Sequence, residues 1–135
     1  MEAYVSATGI KRTAFELMAT MTCESELRSI PYDKFEAKML SDAADKNDPI
    51  ALEAFERTGK YLGLALADLT ATTSPEAIIL FGGLANAGDL LLEPIRKQMN
   101  ENVVFLWKDK VKVLKSSLPG ADAAVLGASA LGWKD

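Results

Sequence analysis

The stretch Ile78-Ile79-Leu80-Phe81-Gly82-Gly83-Leu84-Ala85-Asn86-Ala87-Gly88-Asp89 decides the fold. An apolar run meets two glycines, then small residues, then a helical pattern from about Asn86. That order reads as strand, tight turn, helix. Such a turn bares backbone N–H groups, and a helix N-terminus adds a partial positive charge, so together they suit a nucleotide or a phosphate. Glycine can equally stand here only to solve a steric problem in a plain strand-to-helix connection. The local residues alone favour that plainer account.

Downstream, Asn86 to Asn102 has helical spacing, with Leu90, Leu91, Ile95 and Met99 on the side to be buried. Pro94 lies inside it and removes a backbone donor, which predicts a kink or a late start. Asn102 to Asp109 is ambiguous. Val111 and Val113, alternating with Lys112 and Leu114, predict a second strand. Leu118-Pro119-Gly120 turns the chain, and Asp122 is placed to cap a helix over 123–131 that is rich in alanine and glycine.

Upstream, Glu76 to Phe81 reads as a buried strand, because the apolar run is nearly continuous. Before it, Asp48 as N-cap and Pro49 as first helical residue open a long helix to about Thr70. In that helix Gly59, Gly63 and Ala67 recur every four residues, a ridge of small residues that invites another element to approach closely. Tyr32 to Ala44 predicts a further helix, and Ser6 to Met21 the first, with Ile10, Ala14, Leu17, Met18 and Met21 turned inward. Two strands separated by a crossover helix should pair in parallel. A two-stranded parallel sheet is a poor core on its own, so the chain reads as part of a larger unit, or as one whose cover comes from another copy.

The bulk numbers narrow the function. The 135 residues are 49% hydrophobic, a size and composition that support one packed domain. No apolar run approaches the ~20 residues of a membrane span. The net charge of −4, with no basic cluster, argues against nucleic acid or an anionic membrane as partner. There is no histidine, which removes a histidine base and the commonest zinc ligand. Cys23 is the single cysteine, so no intrachain disulfide forms, and a reducing, cytoplasmic setting fits.

Three stretches in register carry a family resemblance. They are Glu2-Ala3-Tyr4-Val5-Ser6-Ala7-Thr8-Gly9, then Asp48-Pro49-Ile50-Ala51 through Tyr61-Leu62-Gly63, then Leu80-Phe81-Gly82-Gly83 through Gly88-Asp89-Leu90-Leu91 and Pro94-Ile95-Arg96 to Gly120-Ala121-Asp122-Ala123-Ala124-Val125-Leu126-Gly127-Ala128. Together they resemble the C-terminal part of ROK-family sugar kinases, bacterial glucokinases above all. The resemblance covers essentially the whole chain, taken as a single incomplete domain over 1–135. It implies a helix-rich α/β fold: a partial C-terminal lobe of the actin and hexokinase type (ribonuclease H-like), with about two parallel strands and five helices.

The resemblance implies ATP with Mg²⁺ as cofactor, a hexose as substrate, and a structural zinc in the parent enzyme that this segment cannot bind. Gly82 and Gly83 match the adenosine-side glycines, with Ala85, Asn86 and Gly88 on the same turn. Glu2 matches a glutamate that contacts sugar hydroxyls, and the chain then begins one residue after the last zinc cysteine. The family's Asp-x-Gly-x-Thr phosphate loop and its catalytic Asp are not among these residues, so no catalytic residue is assigned and the segment alone is expected to be inactive. Two alternatives stay open. One is the C-terminal part of a sugar-responsive ROK repressor, in which case nucleic acid would be a partner of the parent. The other is a non-catalytic dimerising module, since the open sheet edge and apolar helix faces favour a homo-oligomer.

Overall fold

The computed structural model describes residues 3–118, 120–130 and 132. Its helices and strands follow the expected order: α1 (Ala7–Thr20), α2 (Ala37–Ala44), α3 (Pro49–Thr73), β1 (Ala77–Leu80), α4 (Asp89–Asn102), β2 (Lys112–Lys115) and α5 (Gly120–Ala130). The two strands pair in parallel, with Ile78 opposite Val113 and Ile79 opposite Leu114.

Ser6 caps α1 by accepting a hydrogen bond from the Gly9 N–H at 2.9 Å. Ile10, Ala14 and Leu17 face inward, as their spacing predicts, whereas Met18 and Met21 are only half-buried at its edge. At the other end of α1, Arg28 donates to the carbonyl oxygens of Met18 and Cys23 at 2.7 and 3.0 Å, and also to that of Met21. These bonds hold the following loop against carbonyls that a helix C-terminus leaves unsatisfied. The single helix expected over 32–44 is instead a 3-10 turn, Tyr32–Lys34, followed by α2. Phe35 between them is extended and buried, its ring edge-on to Phe15 with centroids 5.2 Å apart. Placing that ring in the core interrupts the helix. Across the α2–α3 turn, Lys46 meets Glu26 at 2.8 Å, and this hydrogen bond with its charge attraction raises the lysine pKa above the usual 10.5.

Asp48 caps α3 as expected, its carboxylate accepting from the N–H groups of Ile50 and Ala51 at 3.0 Å each. The helix runs to Thr73, three residues beyond its expected end, and stops where Ser74 turns left-handed at φ +48°. Its ridge of small residues is where α4 crosses. A Cβ on Gly59 would lie 2.4 Å from the Cβ of Pro94, and one on Gly63 would lie 2.7 Å from Gln98 and 2.8 Å from the Ile95 carbonyl oxygen. Pro94 is buried within α4, its ring filling the notch at Gly59. The helix begins at Asp89 rather than Asn86 and continues through Pro94, so the proline does not delay its start, and it buries Leu92 where Leu90 was expected.

Two further expectations fail. The first strand is not buried. Ile78 and Leu80 turn toward the core, but Ile79 on the opposite face is 61% exposed and its neighbour Leu114 is 42% exposed. One face of the sheet is covered by α4 and the other is open, because no described element packs on it. Asp122 is also not an N-cap: α5 begins at Gly120, so Asp122 lies in the first turn, where its charge still suits the helix dipole.

The helix crossing yields a test with an unusual sign. Glycine-to-alanine in a helix ordinarily stabilises by about 0.5–1 kcal/mol. Gly63→Ala should instead destabilise by about 1–3 kcal/mol, because the methyl meets backbone. Urea unfolding measures this, and an unchanged or raised midpoint would contradict the close crossing.

Candidate functional site

The glycine turn lies at the carboxyl ends of both parallel strands, where β1 ends at Leu80 and β2 at Lys115. Open α/β sheets bind ligands in the crevice outside these ends. The chain leaves β1 through Phe81 and Gly82, makes a 3-10 turn over Leu84–Ala87, and enters α4 through Gly88.

The three glycines here differ in what they need. Gly82 has φ +102° and Gly88 has φ +61° with ψ −132°, conformations that side chains of L-residues rarely adopt. For these two the plain steric account suffices. Gly83 is different. Its backbone is ordinary right-handed helical at φ −58°, ψ −38°, and among the described residues no atom beyond its chain neighbours lies within 4 Å of where its Cβ would be. Neither its conformation nor packing against the described residues calls for glycine at 83. What a missing Cβ provides there is open approach to the backbone from outside.

The turn uses several of its own donors. Ala85 N–H donates to the Gly82 carbonyl at 3.1 Å, Asn86 N–H to Gly83 at 3.2 Å, and Gly88 N–H to Ala85 at 3.2 Å. Among the described residues the N–H groups of Phe81, Gly82, Gly83 and Leu84 in the turn, and of Asp89 and Leu90 at the start of α4, have no partner. Ala85 is buried beneath the turn and Asn86 is exposed on it. Of the residues assigned from sequence, Gly82, Gly83, Ala85, Asn86 and Gly88 are thus together, and Glu2 lies outside the described residues.

Two hollows flank the turn. A small notch of about 80 Å³ lies at the strand ends, lined by Leu80, Gly82, Lys115 and Ser116 among others, with Lys115 its one cation. A larger cleft of about 460 Å³ lies on the other side, between Gly83 and Asn86 of the turn and Lys38, Ser41 and Asp42 of α2. Sequence reasoning missed these α2 residues, because two charges and a serine on a short amphipathic helix read as an ordinary solvated face. Among the described residues no group of three or more His, Cys, Asp or Glu side chains could hold a metal ion. Cys23 is a half-buried free thiol.

The family model described as "ROK family" matches residues 1–135. A glucokinase of Halalkalibacterium halodurans is 38% identical over 98% of this chain, which spans 39% of that relative. The solved structure of a ROK family glucokinase from Streptomyces griseus, in complex with glucose and AMPPNP, superposes with a TM-score of 0.80 at 30% identity, over 96% of this chain and 43% of its own. The regulator NagC of Escherichia coli, a DNA-binding protein, is 29% identical over 76% of this chain, which spans 25% of it. The sugar kinases among the structural neighbours share the expected actin and hexokinase-like fold. The chain therefore spans about two-fifths of the kinase relatives it matches, and it belongs to the ROK family.

Proposed function

We propose that the chain is part of an ATP-dependent, glucokinase-like kinase that transfers the γ-phosphoryl group to the 6-hydroxyl of a hexose. Its contribution is the adenosine side of the nucleotide site, through Gly82, Gly83, Ala85, Asn86 and Gly88. The observation that carries this is Gly83, a glycine required neither by its backbone nor by packing against the described residues, in a turn whose N–H groups from Phe81 to Leu84 are unpaired among them. The Streptomyces griseus relative, seen with glucose and AMPPNP, supports both the sugar and the adenine nucleotide.

Phosphoryl transfer also needs Mg²⁺, a phosphate cradle and a carboxylate base. These 135 residues contain no Asp-x-Gly-x-Thr stretch, so phosphate and metal are held by other parts of the parent, as is its structural zinc. Glu2 is the one sugar contact proposed here. No helix among the described residues is long and apolar enough to cross a membrane, and we place the parent in the cytoplasm. The second reading, a sugar-responsive repressor, is favoured by the likeness to NagC. The open glycine at 83 weighs toward the kinase, because a repressor needs no ATP turn.

The open sheet face, with Ile79 and Phe81 more than half exposed, supports self-association. Sedimentation velocity should show a dimer of the purified chain, and a strictly monomeric chain would count against it. Calorimetric titration tests the nucleotide turn. Wild type should bind ADP with a Kd on the order of 1 mM, about −4 kcal/mol, since only one wall of the site is present. Gly83→Val should lose that binding while remaining folded, because space around position 83 is open. Equal heats for both would remove the turn from the nucleotide site. The same preparation should not phosphorylate glucose, and measurable turnover would show that the chain holds the base and phosphate loop in some other form.

A further inference from the structure

We propose that two surfaces at opposite ends of α4 join separate copies of this chain head to tail. The apolar knob formed by Val104, Phe105 and Leu106 of one copy seats in a groove between α1, α3 and α4 of the next.

The knob is ordered backbone that turns its side chains to water. Val104, Phe105 and Leu106 are 46%, 80% and 51% exposed. A run of large apolar residues on a surface marks a contact. The turn that carries them is fixed on both sides. Val103 is buried and donates its N–H to the Met99 carbonyl at 2.8 Å. Trp107 donates its N–H to the Val104 carbonyl at 2.9 Å, and its half-buried ring packs on the core. The apolar run is therefore held out with little ordering left to be lost on binding. Lys108, Lys110 and Lys112 follow it, all exposed and none in an ion pair among the described residues.

The groove is the counterpart in shape and charge. It holds about 480 Å³ over an apolar floor of Met21, Leu52, Leu90 and Pro94, with Glu53 and Glu56 on its rim. Arg57 engages Glu53 at 3.6 Å, but Glu56 has no ion-pair partner among the described residues. An apolar knob followed by lysines matches an apolar floor edged by carboxylates.

One copy cannot satisfy itself. Leu90 stands at the start of α4 and the knob just past its end, and the 14 residues of that helix span about 20 Å. Knob and groove are different patches, so the contact is heterologous. Each copy that offers its knob leaves its groove free for another, and association continues beyond two. Ile79, on the open sheet face, belongs to neither patch, so this contact is separate from pairing through the sheet.

The test therefore starts from Ile79→Lys, which puts a charge on the open sheet face and blocks pairing there. In sedimentation velocity this chain should associate reversibly, with a weight-average coefficient that rises with concentration past that of a dimer. Raising the ionic strength from about 0.05 to about 0.5 M should weaken the association several-fold, since exposed charges are screened. Phe105→Ser and Leu52→Lys, each added to that background and checked for folding by circular dichroism, should each stay monomeric. Both alter exposed side chains, and Leu106→Ser is a second knob variant with the same expected loss. Mixed in equal amounts, the Phe105→Ser and Leu52→Lys chains should form a dimer and stop there, because one keeps the groove and the other the knob. A monomeric Ile79→Lys chain, association that Phe105→Ser and Leu106→Ser leave unchanged, or a mixture that stays monomeric would each overturn the proposal.

Discussion

The structure depends on how closely α3 and α4 can approach. Gly59 and Gly63 remove two side chains from the face of α3 that α4 crosses, and Pro94, Ile95 and Gln98 occupy the space. Everything after residue 88 is placed by that contact. From α4, Arg96 donates twice to the Val113 carbonyl at 3.1 Å, which ties β2 to the helix layer. β2 in turn holds β1 in register. Two parallel strands have little stability by themselves. Here they are held because one face rests on a helix that is itself locked against α3. The glycine turn is the short link between β1 and the start of α4, so its position follows from both.

Much of this is legible in the residues. The four-residue spacing of Gly59, Gly63 and Ala67 marks a close crossing, since only small side chains on one ridge permit it. Asp48-Pro49 marks a helix start because each residue type satisfies a separate requirement of the first turn. The break before α2 is not legible. Phe35 fits the helical periodicity of its neighbours, and only the presence of Phe15 across the core shows that its ring is better placed from an extended backbone. The exposed face of β1 is hidden for a different reason: a continuous apolar run says that both faces are to be covered, without saying that the cover is in the same segment.

The turn shows the same limit at the level of single residues. Three glycines look alike in the sequence, yet two are explained by positive φ and one is not. The distinction needs backbone angles and the empty space around each Cα. Similar logic applies beyond the turn. Gly127 in α5 has an ordinary helical place with nothing within 4 Å of its Cβ position, and Val125 beside it is 69% exposed. That helix and the outer face of the sheet present small and apolar surface that nothing among the described residues covers, which fits a chain spanning 31% to 44% of its kinase relatives.

The central claim is that the α3–α4 crossing and the sheet hold the 82–88 turn with its backbone open to a nucleotide. Amide chemical-shift mapping on the ¹⁵N-labelled 135-residue chain tests it most directly. On addition of ADP, the amides of Gly82 and Gly83 should shift most, with smaller changes through Asn86 and along the cleft-facing side of α2. Shifts scattered over the surface, or concentrated at the α1–α2 loop with the turn unmoved, would contradict it.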